Sequence, residues 1–79
     1  MITFEATDLY CPEFQIQMRR FLLAQTHGSE VLITTKEPRA IKDTQLFCEH
    51  SDLIFSGAET EKDVHYILVT IPQLSLSAV

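Results

Sequence analysis

A chain of 79 residues is one small domain, and at that size only roughly 60% of the unfolded surface is hidden on folding. A hydrophobic share of 46%, a charged share of 22%, two glycines and three prolines describe a folded globule and exclude disordered, collagenous and low-complexity chains. Eleven acids against six bases leave a net charge of −5, which speaks against gripping nucleic acid by charge or docking on anionic lipid. Met1-Ile2-Thr3-Phe4-Glu5 lacks the basic and apolar regions of a secretory leader. No apolar run approaches the ~20 residues that span a bilayer. The expected compartment is the cytoplasm. There the two cysteines, Cys11 and Cys48, are expected to be thiols rather than a disulfide.

Thr3 to Thr7 reads as a short strand, with Ile2, Phe4 and Ala6 alternating against Thr3 and Glu5. Asp8-Leu9-Tyr10 is a turn, and Cys11-Pro12 opens a helix, because proline fits the first helical position. Phe14, Met18, Phe21 and Leu22 share one face of that helix, which is expected to end near Gln25 to His27, with Gly28 as a left-handed C-terminal residue. Glu30 to Lys36 is a second strand, rich in β-formers. A second helix starts at Pro38, is carried by Ala40, Ile41, Thr44, Phe47 and Cys48, and stops by about Ser51. Leu53 to Ala58 is a third strand, in which Gly57 marks a bulge or the end. Thr60 to Lys62 is a turn, and Asp63 to Ile71 is the strongest strand, closed by Pro72. The order β-α-β-α-β-β predicts an α/β two-layer sandwich. Its four-stranded sheet is mixed, with a parallel crossover and a final antiparallel hairpin, and both helices lie on one face. Residues 1–72 form the domain and residues 73–79 a loose tail.

Cys11, between the first strand and first helix, is the one position that looks chemical. The first N–H groups of a helix are unpaired and its dipole is positive there, so a thiolate, sulfenate or persulfide anion is favoured. A cysteine at a helix start is also a common packing residue. Glu13 in the same turn competes for that field, and Arg19 and Arg20 lie about two turns away.

Leu9-Tyr10-Cys11-Pro12-Glu13, followed by a helix with Arg19-Arg20 and Leu22, resembles the signature of the TusA/SirA-like sulfur-carrier family, a Gly-Leu-x-Cys-Pro-x-Pro stretch opening the first helix. Glu37-Pro38-x-Ala40-x-x-Asp43 with Phe47-Cys48 resembles the family's Asp-Pro-x-Ala-x-x-Asp-Ile-Pro-x-Phe-Cys stretch. The resemblance covers about residues 3 to 71. It implies that Cys11 accepts sulfur as a persulfide, with Pro12, Glu13 and Phe14 as supporting motif positions. It implies a cysteine desulfurase or other persulfide donor and a downstream acceptor protein, as in tRNA thiolation. Cys48 matches the second-helix cysteine and is expected in the core. No metal or organic cofactor, no direct nucleic-acid contact and no membrane are called for.

The chain departs from the signature at named places. Phe14 replaces the second Pro, Asp8 the Gly and Thr44-Gln45 the Ile-Pro, while Glu5 stands at the acid position. Unlike proline, Phe14 has an N–H, which is expected to donate to the Cys11 sulfur. Arg19 and Arg20, with Lys36, Arg39 and Lys42, cluster on or beside the two helices, against Glu59, Glu61 and Asp63 in the hairpin; the cluster reads either as a solvated face, the usual case, or as a mildly basic docking surface with Arg19 and Arg20 as its candidate partner contacts. His27, His50 and His65 share no metal-ligand spacing. Two other classes of function compete with a carrier. One is an interaction or regulatory module with a structural Cys11, and the other is a redox-sensor thiol.

Overall fold

The structure, a computed structural model, describes residues 1–73. The expected tail therefore lies outside the described residues from position 74 onward. The elements are β1 (Ile2–Ala6), α1 (Glu13–Leu23), β2 (Glu30–Thr35), α2 (Ala40–Ser51), β3 (Ile54–Glu61) and β4 (Val64–Thr70). The sheet order is β1-β2-β4-β3. β1 and β2 are parallel, as the crossover through α1 requires, and β4 runs antiparallel to both of its neighbours. β2 and β3 are therefore parallel to each other, with β4 inserted between them.

The predicted two-layer, mixed-sheet architecture is the architecture found. α1 packs on β1 and on α2, and α2 packs on β3 and β4. Strand alternation explains the layer. Val31, Ile33 and Thr35 of β2, paired with Val69, Ile67 and His65 of β4, face the helices, and five of these six are buried. Against them α1 presents Phe14, Met18 and Leu22, spaced i, i+4, i+8, and α2 presents Ala40, Thr44 and Cys48 with the same spacing. Phe21 adds an aromatic contact to Phe4 of β1, with ring centroids 4.7 Å apart.

Several boundaries differ from the expected ones. α1 begins at Glu13, not at Cys11-Pro12; Pro12 is the capping residue. The helix also ends earlier, at Leu23, where the Ala24 N–H bonds to the Arg20 and Phe21 carbonyls. Gly28 does have a positive φ, 89°, but it serves the turn into β2 rather than the helix end. Its N–H donates to the Ile71 carbonyl at 2.8 Å, and a Cβ there would collide with the Gln73 amide. β3 runs three residues past the expected Ala58, to Glu61, and the turn narrows to Lys62-Asp63. Glu59, Thr60 and Glu61 are exposed on an edge strand, so no hydrophobic alternation announces them. The bulge expected near Gly57 is present: the register slips by one between Phe55 and Gly57.

This topology gathers three connections at one end of the sheet. β1 and β2 both end there, leading into the Cys11 and Glu37 loops. Because β4 is antiparallel, the β3–β4 turn arrives at the same end.

Candidate functional site

Cys11 sits in the β1–α1 connection, two positions before the first helical residue, and is exposed. The chain reaches it through a turn in which the Leu9 N–H bonds to the Ala6 carbonyl at 3.1 Å. The Cys11-Pro12 peptide is cis. Cys48, the other cysteine, is 2% exposed in the layer between α2 and the sheet. Burial pushes its thiol up to about 11, which keeps it protonated and unreactive at neutral pH.

The backbone of the Cys11 loop is held by a residue 26 positions away. The Cys11 N–H donates to Glu37 Oε1 at 2.9 Å. The other carboxylate oxygen, Oε2, accepts from the Arg39 N–H at 2.6 Å. The Glu37 N–H in turn bonds to Thr35 Oγ1 at 3.1 Å. Glu37 is 5% exposed, so its charge is tolerable only because backbone donors satisfy it. The Arg39 and Cys11 N–H groups hold its carboxyl below the ordinary range, against the opposing effect of burial, and the charges of Arg39 and His65 add to the lowering. The sequence reading assigned Glu37 only to a motif. A contact of this kind leaves no periodic signal, since it depends on two strands ending side by side.

The expected hydrogen bond from Phe14 to the Cys11 sulfur is not formed. The Phe14 N–H donates to the Tyr10 carbonyl at 2.9 Å, closing the turn that carries Cys11 into the helix. The Phe14 ring is fully buried. Phe14 therefore anchors this loop to the core rather than serving the sulfur. Pro12 stands between Cys11 and the helix, and Glu13 is exposed in the first turn.

Beside the loop lies a cleft of about 440 Å³ lined by Tyr10, Lys36, Pro38, Lys62, Asp63 and His65. Lys62 and His65 were not singled out for this place. They arrive because β4 pairs with β2, which sets His65 opposite Thr35. Neither Arg19 nor Arg20 lines this cleft. The Arg19 guanidinium lies over the Phe47 ring, 5.8 Å from its centroid, in a groove between the helices with Asp43, Leu46 and His50. Arg20 is exposed in the last turn of α1. The Gln15 amide bonds to the Asp43 carboxylate and ties α1 to α2.

Among the described residues, no cluster of His, Cys, Asp and Glu is arranged to hold a metal ion. His27 pairs with the Pro72 carbonyl and His65 with Thr60 Oγ1. No helix among the described residues is long and apolar enough to cross a membrane. No family model matches the chain.

Proposed function

We propose that this protein is a cytoplasmic sulfur carrier that accepts sulfur as a persulfide on Cys11 and relays it to an acceptor protein, as in tRNA thiolation or related sulfur transfer. The observation that carries the reading is the contrast between the two thiols. Cys11 is exposed, on a loop whose backbone is pinned by Glu37, while Cys48 is buried. An exposed thiol on a fixed loop can meet the sulfur of a partner protein, whereas a cysteine kept for packing is expected to be buried. The resemblance of the Cys11-Pro12 and Glu37-Pro38 stretches to sulfur carriers points the same way.

The chemistry is two displacements at sulfur. The Cys11 thiolate attacks the outer sulfur of a donor persulfide, held by a cysteine desulfurase or another donor. A new S–S bond forms on Cys11 as the donor's S–S bond breaks, and the donor cysteine leaves as a thiolate. An acceptor thiolate then attacks the outer sulfur on Cys11, which departs as a thiolate in turn. Neither step consumes an oxidant or a cofactor.

The test is incubation with a cysteine desulfurase and cysteine, read by intact mass. Wild type and Cys48→Ser should each gain one sulfur atom, and Cys11→Ser should gain none. Absence of sulfur on Cys11, or sulfur on Cys48 alone, overturns the reading. An oxygen adduct on Cys11 with peroxide, without any sulfur adduct from the desulfurase, would make the thiol a redox sensor instead.

A further inference from the structure

The helices cover one face of the sheet, and among the described residues no element covers the other. Its cross-strand rows follow from the register. One row is Thr3, Leu32, Leu68 and Gly57; the next is Glu5, Thr34, Tyr66 and Glu59; Val64 and Glu61 follow. Leu32, Tyr66 and Leu68 are half-buried, while Glu5, Glu59 and Glu61 are exposed. The face is thus an apolar and aromatic strip with acids on its flanks. Lys36 and Lys62 lie beyond the last β2 rung, at the hairpin end.

Within the strip is a hollow of about 360 Å³, lined by Leu32, Gly57, Ala58, Glu59, Tyr66 and Leu68. Gly57 makes it. A Cβ at Gly57 would meet nothing within 4 Å, and the residue is not among those with positive φ. The bulge beside it therefore does not require glycine. A glycine inside a strand weakens it, and such a position often marks the close approach of another molecule. Here a side chain would fit, favour the strand and fill the hollow, yet none is present.

We propose that this face binds an extended, basic segment of a partner polypeptide, with an arginine side chain laid in the Gly57 hollow. The apolar stem packs on Leu32 and Leu68, and the guanidinium meets the Tyr66 ring and the Glu59 carboxylate. Glu5 and Glu61 attract the neighbouring cations of the segment. Charge selects this occupant. Nucleic acid and anionic lipid are repelled by the same acids, and a second copy docked face to face would set Glu5, Glu59 and Glu61 against like charges. The site is on the opposite layer from the helices and does not depend on the sulfur-carrier reading.

The experiment follows backbone amide signals of the isotope-labelled full chain during titration with acetylated, amidated octa-arginine at low salt. Octa-lysine and octa-glutamate serve as comparisons. The largest shifts are expected at Leu32, Gly57, Glu59, Tyr66 and Leu68. Octa-lysine should bind more weakly, because it stacks less well on Tyr66, and octa-glutamate should not bind. Gly57→Val should weaken octa-arginine binding by about tenfold or more while the melting temperature stays level or rises. Glu59→Gln should weaken it without altering the fold, and Cys11→Ser should bind like wild type. Undiminished binding by Gly57→Val, or shifts centred on the helix-side acids Glu13 and Glu49, would overturn the proposal. So would movement of the same amides with protein concentration alone, which would assign the face to a second copy of the chain.

Discussion

At the scale of single residues, the two cysteines differ by position rather than by kind. Cys11 follows a turn and precedes a helix, so its side chain has no layer above it. Cys48 lies on the inner face of α2, one turn after the buried Thr44. Burial raises the Cys48 thiol to about 11 from its ordinary 9.0, so at neutral pH it is both shielded and protonated. Limiting iodoacetamide at neutral pH should therefore label Cys11 first, with peptide mass spectrometry as the readout. Cys48 should react only when the protein unfolds, in urea for example. Label on Cys48 in the folded protein ahead of Cys11 would reverse both assignments. Much of this contrast was legible in the sequence, because Cys48 repeats the Ala40 and Thr44 spacing of a helix face, whereas Cys11 falls outside any periodic run. The Phe14 donor was misread. The Phe14 N–H takes the Tyr10 carbonyl four residues back, the partner that helical geometry gives it, rather than the Cys11 sulfur three residues back.

At the scale of elements, periodicity was a good guide wherever burial is one-sided. α1, α2, β2 and β4 each show one buried face, and each was placed to within a few residues. β3 was shortened, because Glu59, Thr60 and Glu61 gain their order from pairing with β4 and not from burial. Gly28 was read as a helix end, since a glycine after a helical stripe looks like one; its positive φ is set instead by the contact with Ile71. Arg19 and Arg20 were expected on an exposed surface and are there, but Arg19 also leans on Phe47 of the neighbouring helix. An exposed cation–π contact contributes roughly 0.5–1 kcal/mol, and exposed charges add little more. Replacing both arginines with Gln should thus lower stability by about 1 kcal/mol or less, seen as a small shift in the thermal midpoint. If the helix face steers a sulfur donor, the same variant should accept sulfur more slowly, most clearly at low salt. A large drop in melting temperature with unchanged transfer would show that the two arginines serve the fold alone.

At the scale of the whole molecule, the strand order is what brings the site together, and strand order was the part the sequence left open. A β-α-β-α-β-β chain can place β4 at an edge or between β2 and β3. Only the second pairs β4 with β2, which sets His65 opposite Thr35, next to the loop that follows β2. Glu37 acts as a stitch between the loops that follow β1 and β2, accepting from Cys11 on one side and Arg39 on the other. Its effect on global stability has a definite pH dependence. The carboxyl is held below its ordinary 4.5 in the folded protein, so the folded state prefers the ionised form. The stabilisation is fully present above about pH 4.5 and is lost as pH falls through the lower folded value. Glu37→Gln keeps the size of the side chain but offers one acceptor oxygen where two N–H groups need partners. It should cost about 1–3 kcal/mol at neutral pH. Urea unfolding at neutral pH and at an acidic pH below the ordinary 4.5, where the unfolded chain gains a proton that the folded state resists, should show the gap between variant and wild type narrowing with acid. An equal gap at both pH values would mean that shape rather than charge makes Glu37 matter, and no gap at either would remove it as the link between the two loops.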